Sequence, residues 1–317
     1  VNRKDILDLD DFAADEIEQV IATAEAMREV LSRPIRRVPP LRGKTVVNLF
    51  YEASTRTRIS FELAAKNLSA DVVNVSASGS SVEKGESLID TIKTVQALGA
   101  DIVVIRHSMS GAPYLVAQHL RGSVINAGDG WHAHPTQALL DLFTVRQRFG
   151  RLHGLNAVIV GDILHSRVAR SNIWGLTKMG VRVTLCGPPT LLPDLGSNGH
   201  RAGLPPVEIS YDLDQAVRKA DIIMALRIQK ERQEGGLLPS LREYVKLYQV
   251  NEERLTRARP DALIMHPGPM NEGIEISPEA ARGVRSVIEE QVTNGVAVRM
   301  ALLYLLAAER SYVRVAS

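Results

Sequence analysis

Short runs of β-branched and aliphatic residues alternate along this chain with longer stretches in which apolar positions recur every three or four residues. The runs at 45–50, 71–76, 101–106 and 123–126 read as strands, and the stretches at 15–31, 56–68, 87–99 and 112–120 as helices. A second series follows, with strands at 156–160, 181–186, 221–226 and 261–265 and helices near 167–179 and 212–219. Strand and helix alternating in this way predict an α/β fold of two domains, each a parallel sheet flanked by helices. The helical pattern at 135–149 meets no breaker before Gly150, so it predicts a rod joining the two domains and a boundary near 150. The first domain is then 1–150 and the second 151–286. A last helical stretch, 287–310, comes after the second unit is complete and is expected to pack back on the first domain. Polar loops at 74–86 and 229–238 are long for simple connections, as functional lids are.

Composition narrows the class. The chain has 317 residues, 45% hydrophobic, which is enough for two buried cores. With 38 basic and 36 acidic residues the net charge is only +2, which supplies no long-range attraction to nucleic acid. The one cysteine, Cys186, forms no intrachain disulfide, and no cysteine cluster has metal-site spacing, so a reducing cytosol is the expected setting. The opening residues are charged and no stretch reads as a run of roughly 20 apolar residues, so neither secretion nor a membrane is expected.

The chemistry gathers at strand ends. Glu52-Ala53-Ser54-Thr55-Arg56-Thr57-Arg58 stands between a predicted strand and a predicted helix. Such a turn binds anions, because free N–H groups, the helix dipole and hydroxyl donors all point outward there. Arg56 adds a fork of charge-assisted donors. A helix capped by Ser54 or Thr55 with two solvated arginines is the plain alternative. Arg106-His107 ends the third strand and His134-Pro135-Thr136-Gln137 follows the fourth. Ligands of open parallel sheets sit outside the carboxyl ends of the strands, so Ser54, Arg56, Arg106, His134 and Gln137 are expected in one crevice. Metal binding by His132 and His134 would lack further clustered ligands, and no metal or cofactor is expected.

In the second domain the turn Gly161-Asp162-Ile163-Leu164-His165-Ser166-Arg167 lacks the glycine spacing of a dinucleotide loop. Arg167 here and Arg227 after the strand ending at Leu226 suit a substrate with two carboxylates. His266-Pro267-Gly268-Pro269 follows the last strand, where prolines stiffen the backbone and aim carbonyl oxygens. Taken singly, these are surface arginines and a rigid turn.

Ser54-Thr55-Arg56-Thr57-Arg58 followed by His134-Pro135-Thr136-Gln137 closely resembles the paired signatures of the aspartate/ornithine carbamoyltransferase family, and the resemblance runs over nearly the whole chain. Within the family, His266-Pro267-Gly268-Pro269 and Leu226-Arg227-Ile228-Gln229-Lys230-Glu231-Arg232 resemble the aspartate branch. Ornithine members typically show His-Cys-Leu-Pro and Ser-Met-Gly instead. The resemblance implies carbamoyl transfer from carbamoyl phosphate to L-aspartate, an early committed step of pyrimidine synthesis. By the same resemblance Ser54, Thr55, Arg56, Thr57 and Arg106 bind phosphate, and Thr57, Arg106 and His134 also reach the carbamoyl oxygen. Gln137 and the turn at Pro267 and Gly268 hold the carbamoyl amide, while Arg167, Arg227 and Gln229 bind aspartate. A homotrimer is implied, with Ser80 and Lys84 entering the neighbouring subunit's site, Ser81 being an alternative to Ser80. Glu52 is implied to pair with Arg167 and Arg232 on domain closure, and a partnership with Arg58 is the other reading. Gly268 and Val168 depart from some members, which carry a larger or hydroxyl residue there. Regulatory chains or a dihydroorotase are further partners the resemblance leaves open. The competing classes are an ornithine-type acceptor, a nucleotide-dependent oxidoreductase and a silent scaffold.

Overall fold

The computed structural model describes residues 3–76, 87–194, 203–228 and 240–315. The chain divides into two compact units, Val1–Phe143 with Thr293–Ser317, and Thr144–Val292.

In the first unit, β1 (Thr45–Phe50), β2 (Asp71–Ser76), β3 (Ile102–His107) and β4 (Ser123–Asp129) form one sheet in the order β2-β1-β3-β4, every pair parallel. Around it lie α1 (Ala14–Ser32), α2 (Thr55–Asn67), α3 (Leu88–Ala97), α4 (Ala112–His119) and the start of α5 (Pro135–Phe149). Ile102 to Ile105 are all buried, with no alternation, because helices cover both faces of a parallel sheet. Val47, Leu49, Ile92, Val103, Ile105, Val116 and Val124 pack into a core whose buried side chains each contribute on the order of 2 kcal/mol.

The second unit has five parallel strands: β5 (Asn156–Val160), β6 (Arg182–Cys186), β7 (Glu208–Ser210), β8 (Ile222–Ala225) and β9 (Leu263–Met265), ordered β7-β6-β5-β8-β9. Its helices are α6 (Arg167–Lys178), α7 (Leu213–Ala216), α8 (Leu241–Tyr248), α9 (Glu252–Leu255) and α10 (Pro278–Arg282). The expected helix at 212–219 is α7 followed by a 3-10 turn, Val217–Lys219. β7 was not predicted, because it is a three-residue edge strand with an exposed Glu208 and no apolar run. The short helices α8, α9 and α10 also fall below the length at which periodicity shows. Each is capped, by Ser240, Asn251 and Ser277, whose side chains accept an N–H from the first helical turn.

The α/β class and the two parallel sheets agree with the sequence expectation. The last helix, α11 (Ile288–Val315), returns to the first unit from Thr293 onward. There Arg28 Nη1 donates to Asn294 Oδ1 at 3.2 Å, and Val298, Met300, Ala301, Leu302, Leu303 and Leu306 are buried. Residues 288–308 are in fact long and apolar enough to span a bilayer by length and composition, contrary to the expectation, but two thirds of that stretch is buried inside the protein. It is a core helix. Cys186 is buried too, and desolvation pushes its thiol up to about 12.

Candidate functional site

The first half-site follows from sheet order. β1 has β2 on one side and β3 on the other, so the chain leaves the carboxyl ends of β1 and β3 in opposite directions and opens a crevice between them. Register aligns Phe50 with Arg106, and Tyr51 N donates to the Arg106 carbonyl at 2.8 Å. The anion-turn residues and Arg106 therefore share one switch point. Ser54 caps α2: its extended backbone precedes the helix and its Oγ accepts from Thr57 N at 3.4 Å while donating to Thr57 Oγ1 at 3.0 Å. That leaves Thr55 and Arg56 in the first turn of α2, both exposed. Desolvation lowers the pKa of Arg56, although the side chain keeps a solvent-facing edge.

Arg106 is held in place on two sides. Its Nη2 donates to Glu52 Oε1 at 2.6 Å and its Nη1 to the Ala127 carbonyl on β4 at 3.2 Å. The Glu52–Arg106 pair was absent from the sequence reading, which considered Arg167, Arg232 and Arg58 as partners of Glu52. It became visible once β1 and β3 were neighbours, because the two residues are 54 apart in sequence. His107 is held below its ordinary pKa by desolvation, with Glu52 and Asp129 acting in the opposite sense.

β4 ends in a turn organised by the buried Asp129. Its carboxylate accepts from Asn126 Nδ2 at 2.8 Å, Ala133 N at 3.1 Å and Gly111 N at 2.7 Å, and meets His132 Nδ1 at 3.2 Å. His132 Nε2 is also 3.5 Å from the buried Asp8. That turn delivers His134, buried, immediately before Pro135 at the first position of α5. Gln137 is buried one turn further, its Nε2 donating to Asp141 Oδ1 at 3.0 Å. Among the described residues no cluster of three or more His, Cys, Asp or Glu has the spacing of a metal site.

The second half-site uses the same rule. β5 lies between β6 and β8, so its switch point is flanked by the turns after β5 and β8. Leu226 N donates to the Val160 carbonyl at 2.8 Å, which ties the two turns together at their origin. Asp162 Oδ1 accepts from His165 N at 3.2 Å and meets His165 Nδ1 at 2.8 Å, and Ser166 Oγ accepts from Ala169 N at 3.1 Å. The helix α6 consequently starts at Arg167, which is buried. Arg227 is half-buried on the neighbouring turn. Gly161 is required between them: its φ is +128°, and a Cβ would stand 3.1 Å from the Leu226 carbonyl and 3.2 Å from Tyr244 Oη. Gly161→Ala is expected to cost on the order of 2 kcal/mol, read as a lowered midpoint in thermal or urea denaturation. An unchanged midpoint would show that the turn relaxes without strain.

The turn after β9 is fixed by a buried pair. His266 Nδ1 accepts from Gly268 N at 2.8 Å, so the ring carries its proton on Nε2, which donates to Glu275 Oε1 at 3.1 Å. Glu275 Oε1 also accepts from Asn271 N at 2.6 Å, and Asn271 Nδ2 donates to the Ile228 carbonyl at 3.3 Å. Pro267 and Gly268 are half-buried, and the Gly268–Pro269 peptide is cis.

The first unit thus assembles Ser54, Thr55, Arg56, Thr57, Glu52, Arg106, His134 and Gln137 around β1, β3 and β4, and the second assembles Arg167, Arg227, Pro267 and Gly268 around β5, β8 and β9. Ser80, Lys84, Gln229 and Arg232 lie outside the described residues, as does Ser81. Sequence reasoning missed Asp141 and Glu275, which orient Gln137 and His266. Asp141 carried a signal, since it stands four residues after Gln137 on one helix face.

Two α/β units, each built on a parallel sheet with arginines at its strand-end turns, have the form of an α/β binder of small anions. Residues 4–147 match the carbamoyl-P binding domain of aspartate/ornithine carbamoyltransferases, and residues 153–306 match their Asp/Orn binding domain. The chain belongs to the aspartate/ornithine carbamoyltransferase family. It is 67% identical over 305 residues to an aspartate carbamoyltransferase catalytic subunit of Chloroflexus aggregans, covering 96% of this chain and 98% of that one. The corresponding subunit of Roseiflexus castenholzii is 67% identical over 308 residues, covering 97% and 96%. Among solved structures, aspartate transcarbamoylase of Trypanosoma cruzi with N-(phosphonacetyl)-L-aspartic acid superposes with a TM-score of 0.85 at 29% identity, covering 95% of each chain. The catalytic subunit of M. jannaschii aspartate transcarbamoylase gives a TM-score of 0.83 at 34% identity, covering 96% and 98%.

Proposed function

We propose that this chain is an aspartate carbamoyltransferase catalytic subunit, transferring the carbamoyl group of carbamoyl phosphate to the α-amine of L-aspartate. The observation that carries this is the capped start of α2, with Arg56 in its first turn, at the same switch point as Arg106. Such a site takes a phosphate dianion on N–H and hydroxyl donors with guanidinium support. Ser54, Thr55, Arg56, Thr57 and Arg106 hold the phosphate, and Thr57, Arg106 and His134 donate to the carbamoyl oxygen. Gln137 and the carbonyl of Pro267 hold the carbamoyl amide, beside Gly268. Arg167 and Arg227 each grip one carboxylate of aspartate, and Gln229 is assigned to the same substrate by the family resemblance. The close relatives named for aspartate support this choice of acceptor over ornithine, for which a cationic Arg227 is unsuited.

The neutral amine attacks the carbonyl carbon, a tetrahedral species forms, and the C–O bond to phosphate breaks. Catalysis rests on positioning and on donors aimed at the developing oxyanion. Arg56 stabilises the departing phosphate, which also takes the amine's proton. In this scheme Glu52 has a second task besides any part in domain closure with Arg167 and Arg232. By gripping one edge of Arg106 it orients the guanidinium. Glu52→Gln is therefore expected to lower kcat about tenfold with little change in the midpoint of unfolding. Steady-state kinetics with unchanged kcat and aspartate KM would remove both tasks.

The assembly that fits this reading is a cytosolic homotrimer in which Ser80 and Lys84 complete the site of a neighbouring subunit. Pyrimidine synthesis is the corresponding pathway. A paired assay of the purified chain with carbamoyl phosphate and either aspartate or ornithine tests the acceptor, with carbamoylation of aspartate alone expected. Product formation from ornithine, or from neither amine, would refute the proposal.

A further inference from the structure

Arg299 interrupts an apolar run on α11, Val296 to Leu306, and only 3% of it is exposed. A buried guanidinium costs several kcal/mol in lost hydration unless its surroundings replace the water, and an apolar residue of similar size commonly serves a fold better. The surroundings of Arg299 point to the anion turn. Its Nη1 donates to Ser60 Oγ at 2.7 Å, and its guanidinium carbon stands 5.0 Å from the centre of the Phe61 ring. Both partners are on α2, the helix that Ser54 caps. One turn before Arg299 on its own helix, Gly295 makes the space: a Cβ there would stand 2.6 Å from Nη1 and 3.3 Å from Leu140 Cδ2. Among the described residues, Arg299 Nε has no hydrogen-bond partner.

The electrostatics agree with this geometry. Burial lowers the Arg299 pKa to about 9, Asp141 opposes the fall, and Arg106 and Arg56 add to it. The group remains a cation at neutral pH. Arg106 and Arg56 thus both act on Arg299, and the carboxylate that offsets its charge, Asp141, is the one that accepts from Gln137, while Arg106 has its own partner in Glu52. A dianion at the α2 turn relieves that repulsion.

We propose that Arg299 is a positioning residue for the phosphate: a buried third guanidinium that braces α2 through Ser60 and adds its field to the anion turn from behind. It does not touch the substrate, and the inference rests on the reading of that turn as the phosphate site.

The test compares Arg299→Met, Arg299→Lys and Arg56→Ala in the full chain. Inorganic phosphate affinity is measured by calorimetry, KM for carbamoyl phosphate and for aspartate by steady-state kinetics, and the unfolding midpoint by heating. Arg299→Met is expected to weaken phosphate about tenfold, equivalent to about 1.4 kcal/mol, with a matching rise in KM for carbamoyl phosphate. The aspartate KM at saturating carbamoyl phosphate stays as in the parent, and the midpoint stays level or rises. Arg299→Lys, which restores the charge without the fork, is expected to recover phosphate affinity to within about threefold. Unchanged phosphate affinity in Arg299→Met overturns the proposal, as does a lysine variant no better than the methionine one. A methionine variant that loses midpoint, phosphate affinity and aspartate affinity together makes Arg299 merely structural and also overturns it. Arg56→Ala separates the two levels: if it too leaves phosphate affinity intact, the phosphate-site reading itself fails, whereas a weakened Arg56→Ala beside a normal Arg299→Met removes only the role of Arg299.

Discussion

Arg56→Ala is expected to lower kcat by about 10²-fold or more, the loss typical of a donor aimed at charge that develops in the transition state. The side chain stands in the first turn of α2, just after the Ser54 cap, where backbone N–H groups and the helix dipole already favour an anion. In the proposed scheme Arg56 adds a full positive charge matched to a leaving phosphate. Its guanidinium is partly desolvated, which lowers its pKa and shows that water does not fully screen it. The residue is exposed, so truncation opens no cavity and the fold should survive. Steady-state turnover beside a circular dichroism spectrum checks this. A folded variant with the parent's kcat would refute the assignment.

Arg227→Ala is the second large effect expected, and it should fall on the other substrate. Arg227 leaves the end of β8 beside Gly161, in the unit that carries Arg167, and neither belongs to the α2 turn. A guanidinium that grips a planar carboxylate by two parallel bonds contributes more than a surface ion pair, because both partners are partly desolvated. The expected rise in aspartate KM is roughly 10²-fold, equivalent to about 2.8 kcal/mol. Inorganic phosphate affinity should not change. Saturation curves for aspartate and calorimetry with phosphate separate the two, and equal losses in both would argue against an acceptor-specific role. Together with Arg56→Ala, this makes a crossed pair in which each variant damages one substrate's binding or departure and spares the other's.

Much of this molecule was legible before any coordinates. The strands at 45–50, 71–76 and 156–160 and the helix at 135–149 have the predicted bounds, because short β-branched runs read as strands even at the exposed edge where β2 lies, and a helical pattern without a breaker runs on to Gly150. The capped start of α2 was legible for a local reason, since a serine before a helical pattern is a cap and Arg56 follows it within three residues. Short or polar elements were not legible. β7 has three residues, one of them an exposed glutamate, and owes its existence to the neighbouring edge of β6.

Sequence by itself determined the α/β class, the family signatures and the identity of the groups at each strand end, since these depend on local periodicity, caps and residue type. Tertiary structure alone decided which of those groups meet. The Glu52–Arg106 pair, the Glu275–His266 pair and the buried Arg299 behind α2 join residues 54, 9 and 239 positions apart. Contacts of that kind are set by strand order and helix return, and a charge's partner depends on distance in space, which composition and spacing along the chain do not encode.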